Sequence, residues 1–219
     1  MTQPDDTLLL DTLPPLWRAA LAHGGRARPL WLGLLALDVR LAGVVKQARE
    51  PMLAQIRLAW WRDRLAEPAE KWPLGEPLLA QLRAWGGEHG ALGGMVDGWE
   101  ALLADSPLTP AALGALGEGR ARAVMALAGL AGAGASAALA GELARGWGLG
   151  DLAGVVDHPE DGATWSGLVE ALAWRRRRLP KALRPVAILQ AFAEAEAKNR
   201  PLSGVFALAT LLRLGMLGI

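Results

Sequence analysis

LWLGLLALDVRLAGVVKQAREPMLAQIRLAWWRDRL, residues 30–65, decides the fold class. Leu30, Leu34, Leu37, Leu41 and Val44 recur at steps of four and three, which lines them along one side of a helix. The pattern breaks at Arg49-Glu50-Pro51. Proline lacks the N–H that a first helical turn leaves unpaired anyway, so Pro51 predicts the start of a second helix. On it Leu53, Ile56 and Trp60 lie along one side, with Leu58, Trp61 and Leu65 along another. The two together predict a helical hairpin packed on both flanks within a core.

The same punctuation continues in both directions. Residues 1–7 are polar and read as a loose start. Pro14-Pro15 opens a short helix that Gly24-Gly25 closes. Residues 67–77 form a connector with three prolines, and Pro77 starts a helix that ends at Gly86-Gly87. Leu92, Met95, Val96, Trp99, Leu102 and Leu103 give the cleanest amphipathic pattern of the chain. Thr109-Pro110 is a cap followed by proline at the first helical position, and Ser136 is a second cap. Residues 157–162 read as a turn, with further helices over 165–179, 185–198 and 203–217.

Composition bounds the rest. With 219 residues and 52% hydrophobic content the chain can bury a substantial core, and one domain over 1–219 is the default. Isoleucine occurs three times and tyrosine never, while Ala, Leu, Gly and Arg dominate, so the class is all-α. We expect a single bundle of about 8–10 helices. A net charge of +1 gives no global field for nucleic acid, and the tryptophans sit at core spacing rather than on a basic face. The absence of cysteine excludes disulfides and thiolate metal sites. The acidic opening MTQPDD is unlike a signal or transit peptide, which predicts a cytoplasmic protein. Residues 123–141 carry no charge, yet they are mostly Ala and Gly with three Leu. Two close-packed helices meeting near 132–135 explain them better than a transmembrane span.

The order L-x-A, a later V-V, a short gap and then L-x-x-W-R-x-x-L resembles the opening of the squalene and phytoene synthases, the head-to-head prenyl transferases. Residues 95–102 are similar to that family's G-M-x-x-D-L helix, and residues 127–132 to its V-A-G-x-V-G segment. Leu179-Pro180, followed by Arg184-Pro185, resembles a late L-P-x-x-x-R-P element. The likeness covers roughly residues 30–215 and implies the isoprenoid-synthase type of helical bundle.

The family's first helix carries D-D-x-x-D, whose carboxylates hold Mg²⁺ on a prenyl diphosphate. Those positions fall here at Ala42, Gly43 and Lys46. The second aspartate-rich motif should lie near 143–157, where Asp151 takes the asparagine position, Gly148 the glutamine, Gly154 the arginine and Val155 the aspartate. A shifted register brings Asp157, Glu160 and Asp161 closer to metal duty. Departure of a diphosphate depends on divalent cations clamped between carboxylates of facing helices. Lys46 neutralises one phosphate charge, but an ammonium is a point charge and templates no metal.

The resemblance therefore implies a noncatalytic branch of the fold, which includes a mitochondrial assembly factor for respiratory complex I. Such a pseudoenzyme has no catalytic residue and no cofactor. It binds a protein partner or a prenyl or lipid ligand, with peripheral membrane association and a role in assembling a membrane complex. Ligand contacts are expected at Asp38, Lys46, Gly129, Gly132 and Asp151. The alternative is an Mg²⁺-dependent transferase that condenses two isoprenyl diphosphates head to head.

Single residues have structural readings beside these. Asp38, the one carboxylate of the first core helix, is expected to pair near Arg40 or with an arginine from another helix, because buried carboxylates are normally paired. Arg57 and Trp61 stand four apart, which allows a cation–π contact. Arg175, Arg176, Arg177 and Arg178 read as a solvated helix end, with an anionic lipid, phosphate or acidic partner as the sharper reading. His23, His89 and His158 show no metal-ligand spacing and are expected at the surface.

Overall fold

The first helix of the expected hairpin is the centre of the molecule. The computed structural model describes residues 4–48, 50–174 and 178–218, and among these there is no strand. The described residues include ten α-helices of eight residues or more, together with the six-residue α5. In chain order they are α1 (Pro4–Thr12), α2 (Pro15–Ala22), α3 (Arg28–Lys46), α4 (Pro51–Ala66), α5 (Pro77–Leu82) and α6 (Gly93–Glu100). Then come α7 (Pro110–Leu130), α8 (Ala137–Gly150), α9 (Pro159–Ala171), α10 (Arg184–Ala197) and α11 (Gly204–Leu212).

Every residue from 30 to 38 is buried, so α3 is enclosed all round and not only along its leucine face. It touches α1, α2, α4, α5, α6 and α7. A second layer is built by α7 and α8, an antiparallel pair, with α6 packed on one side of α7 and α10 on α8. The chain reverses between α7 and α8 at Gly132, whose φ of +68° suits a residue without a side chain. That reversal falls where the uncharged stretch 123–141 was expected to fold back, and among the described residues no helix is long and apolar enough to cross a membrane.

Missing side chains let these helices meet closely. A Cβ on Gly119 of α7 would overlap the carbonyl oxygen of Gly94, and one on Gly148 of α8 would overlap the Cα of Gly117. The backbones of α6, α7 and α8 therefore touch directly. This close approach is what brings distant charged residues into one cluster. Arg62 of α4 adds a polar tie to α6, with Nη2 2.9 Å from Asp97 Oδ1 and a further contact to Glu100.

Proline and cap signals place most helix starts correctly. Pro15, Pro51, Pro77 and Pro110 each open a helix, and Thr109 Oγ1 accepts the N–H of Ala112 at 3.1 Å. Ser136 precedes α8 but makes no side-chain cap. Several expectations are corrected. Helix α1 takes in Pro4–Thr7 from the stretch read as loose, while residues 1–3 lie outside the described residues. Pro159 opens α9 inside the presumed turn 157–162, with Glu160 and Asp161 in its first turn where acids oppose the helix dipole favourably. That helix stops at Ala171, so the expected helix over 165–179 does not reach Arg178; Arg175, Arg176 and Arg177 lie outside the described residues.

The larger correction concerns α4. Its buried side is Ala54, Leu58, Trp61 and Leu65, whereas Met52, Leu53, Ile56 and Trp60 are exposed. The hairpin is packed on one flank. Periodicity showed two apolar rows but not that a neighbour covers only one of them.

Candidate functional site

Asp38 and Asp151, more than a hundred residues apart in sequence, are joined by one guanidinium. Arg120 of α7 is fully buried, and its Nε lies 2.7 Å from Asp38 Oδ2 while its Nη2 lies 2.8 Å from Asp151 Oδ2. The Nε–Oδ2 contact is an ion pair set off the N–H direction, so those two atoms attract as charges without a hydrogen bond between them. The other oxygen of Asp38 accepts the indole N–H of Trp99 at 2.7 Å. Arg120 stacks on Trp147, with Cζ 3.9 Å from the ring centroid, and Trp17 meets Trp147 edge-on at 5.3 Å.

Burial pushes the Asp38 carboxyl above its usual range, opposed by the Arg120 charge and the Trp99 donor. Loss of solvent disfavours the charge on Arg120, but the two carboxylates outweigh it and hold the guanidinium protonated. Asp151 keeps 35% of its side chain exposed, beside a cavity of about 250 Å³ that Trp17 and Trp147 also line. The expected pairing of Asp38 with an arginine from another helix is what the structure contains.

A larger cavity, of about 500 Å³, opens on the other side of α3. Its α3 wall is Ala36, Val39, Arg40, Gly43 and Val44, with Gln47 at the cap just past the helix end. Facing them are Arg57, Trp60 and Trp61 of α4, with Leu9 and Thr12 of α1 and Glu76 at the margin. Glu76 is the sole carboxylate among these residues, and it is engaged: Arg40 Nη2 lies 3.5 Å from its Oε1, which also accepts the N–H of Leu78. The cation near Trp61 is Arg40, at 5.8 Å, and not the Arg57 that the i, i+4 spacing suggested.

The expected site residues are thus divided among three places. Asp38 and Asp151 come together through Arg120. Gly43 lines the large cavity, Ala42 beside it is half-buried, and Lys46 is exposed. Gly129 and Gly132 are exposed at the end of α7 and line neither cavity. No motif marks Arg40, Gln47, Arg57 or Trp60. The signal that was available is spacing, since 40, 43, 44 and 47 share one face of α3 and 57, 60 and 61 one face of α4.

The residues at the positions that the resemblance would assign to metal binding do not fit Mg²⁺, because Ala42 and Gly43 offer no oxygen ligand and Lys46 is a cation. Among the described residues no group of three or more His, Cys, Asp or Glu side chains converges so as to hold a metal ion. Asp157 and Glu160 are exposed. Asp161 accepts the Ser106 hydroxyl and the Leu108 N–H, both at 2.6 Å, and so holds the loop before α7. His89, expected at the surface, is buried, with Nδ1 2.5 Å from the Gly86 carbonyl and Nε2 2.9 Å from that of Glu67.

The Ser106 hydroxyl, with the Leu108 N–H, holds the Asp161 carboxyl below its usual range. A carboxyl depressed by folding contributes stability that is present above its unfolded value, about 3.9, and is lost as pH falls through the lower folded value. Asp161→Asn is therefore expected to melt below the parent at pH 7, with the gap closing below about pH 4. A gap that stays constant between those pH values removes this account.

Comparison with protein-family models, with curated proteins and with solved structures finds no match to this chain.

Proposed function

We propose that this protein binds, without transforming it, a compound with an apolar tail and an anionic head, of the prenyl diphosphate or lipid kind, between α1, α3 and α4. The observation that carries this is the wall of the 500 Å³ cavity at Gly43. Where the resemblance to head-to-head prenyl transferases calls for carboxylates and Mg²⁺, the cavity offers the cation Arg57, the amide of Gln47 and Arg40 in its long, 3.5 Å ion pair with Glu76. Guanidinium groups bind phosphate oxygens directly, so an anionic head is retained there without a bridging metal. Leu9, Val39, Val44, Trp60 and Trp61 supply the apolar surface, and the volume is ordinary for a small-ligand site. The exposed row Met52, Ile56 and Trp60 extends that surface outward along α4, giving a long tail a place to lie.

The buried cluster supports the same reading from another direction. Asp38 and Asp151 belong to the two segments that the resemblance assigns to facing metal sites. The cation between them is Arg120, attached to the protein itself. A guanidinium cannot move with a leaving diphosphate, so these carboxylates serve the fold.

Titration with farnesyl and geranylgeranyl diphosphate in the presence of EDTA, followed by calorimetry, tests the proposal. Saturable binding independent of Mg²⁺ is expected, weakened about tenfold or more in Trp60→Ala through lost apolar contact. Release of diphosphate with a condensed product at ordinary turnover in Mg²⁺ would overturn the noncatalytic part. Absence of binding to either compound, or binding that Trp60→Ala leaves unchanged, would overturn the ligand.

A further inference from the structure

Helix α11 faces the wrong way for a surface helix in water. It continues through a wider turn, Arg213–Leu217, and Val205, Phe206, Leu208, Leu212, Met216 and Leu217 all point outward. Val205 and Phe206 are 80% and 78% exposed. The side turned to the protein is Ala207, Thr210, Leu211, Leu214 and Gly215. This orientation is fixed at the far end, where Arg184 Nη1 donates to the carbonyls of Gly215 and Met216 at 2.9 and 2.8 Å and Gly215 packs on the His23 ring. The apolar face is thus held outward by specific contacts.

Charge identifies what covers it. The overall +1 conceals an asymmetry: residues 1–174 carry fourteen Lys and Arg against twenty Asp and Glu, a net of −6, whereas residues 175–219 carry nine against two, a net of +7. No acidic residue follows Glu196. Arg213 lies on the exposed apolar side, and Arg200 lines a cavity with Phe206. Arg178, also exposed, precedes Leu179, whose carbonyl stands beside Gly218. Cations therefore sit at both ends of an exposed apolar helix.

We infer that α11 and its extension dock this protein on an anionic lipid bilayer, with Phe206, Leu208, Leu212 and Met216 entering the headgroup boundary and Arg178, Arg200 and Arg213 meeting lipid phosphates. Apolar burial joined to cationic contact is the combination that holds helices in a membrane interface. Nine helical residues and a further five in the wide turn are too few to span a bilayer, which needs about 20, so the helix lies in the plane of the surface. A second copy seated on the same face would set like charges against each other, which disfavours self-association there.

Co-sedimentation with vesicles of phosphatidylcholine, with and without 30% phosphatidylglycerol, tests this. The parent chain is expected to bind the anionic vesicles at least tenfold more tightly than the neutral ones, and to lose most of that binding in 0.5 M salt. The triple variant Phe206→Ser, Leu208→Ser, Met216→Ser should lose at least tenfold on anionic vesicles. Because these side chains are exposed, it should keep its circular dichroism and its affinity for soluble prenyl diphosphate. Equal binding to both vesicle types, or no loss in the triple variant, overturns the proposal. So does a concentration-dependent dimer of the parent that the same variant abolishes without vesicles present. The cavity ligand is a separate matter, and failure of either proposal leaves the other standing.

Discussion

Arg120→Met is expected to destabilise the fold by about 3–5 kcal/mol, because it leaves the carboxylate of Asp38 buried with only the Trp99 indole as partner. For a chain of this length that corresponds to a drop of roughly 6–20 °C in melting temperature. The variant should also change its response to pH. With the guanidinium gone, burial outweighs the Trp99 donor and pushes the Asp38 carboxyl further up, so the folded state takes a proton at a pH above the unfolded value of about 3.9. Stability of the variant relative to the parent therefore rises as pH falls from neutral towards that unfolded value. Adding Asp38→Asn removes the buried charge while keeping an acceptor for Trp99, and should recover part of the loss. A melting temperature for Arg120→Met within about 2 °C of the parent would show that the cluster does not hold α3, α7 and α8 together.

Gly119→Ala and Gly114→Ala, five residues apart on α7, are expected to act in opposite directions. Alanine is intrinsically better in a helix by about 0.8–1.0 kcal/mol, and at Gly114 nothing lies within 4 Å of an added Cβ. Gly114→Ala should therefore raise the melting temperature by about 2–4 °C. At Gly119 the added carbon overlaps the Gly94 carbonyl, a backbone atom that retreats only if α6 and α7 part. Overpacking of this kind costs about 1–3 kcal/mol and more when backbones must separate, which exceeds the intrinsic gain. A net fall of about 2–8 °C is expected for Gly119→Ala. Thermal melts of the two variants side by side check the pair, and a rise in both would mean that the helices approach less closely than described.

The candidate site was only partly legible. Asp38 stood out because a lone carboxylate on a core helix requires a partner, and the requirement was met. Its partner could not be named, since Arg120 is one of many arginines and its burial depends on α7 meeting α3. Asp151 was singled out through a resemblance to a metal motif, and it takes part in the same cluster as an ion-pair partner. The cavity between α1, α3 and α4 was not foreseen. Its lining comes from segments whose side chains converge only once α4 has turned its Leu58 side inward and its Trp60 side out.

What the sequence determined by itself is the all-α class and most helix boundaries, from Pro51, Pro77 and Pro110 to the cap at Thr109 and the reversal near Gly132. Those features are local: a missing N–H, a hydroxyl within reach of the next turn, or a backbone without a Cβ acts on its own neighbours whatever the rest of the chain does. Tertiary structure alone decided which apolar row of α4 is covered, which cation joins Asp38 to Asp151, and that α11 carries its apolar side outward. Each of these depends on which backbones approach each other, and among α6, α7 and α8, where Arg120 sits, that distance is set by glycine contacts between the helices.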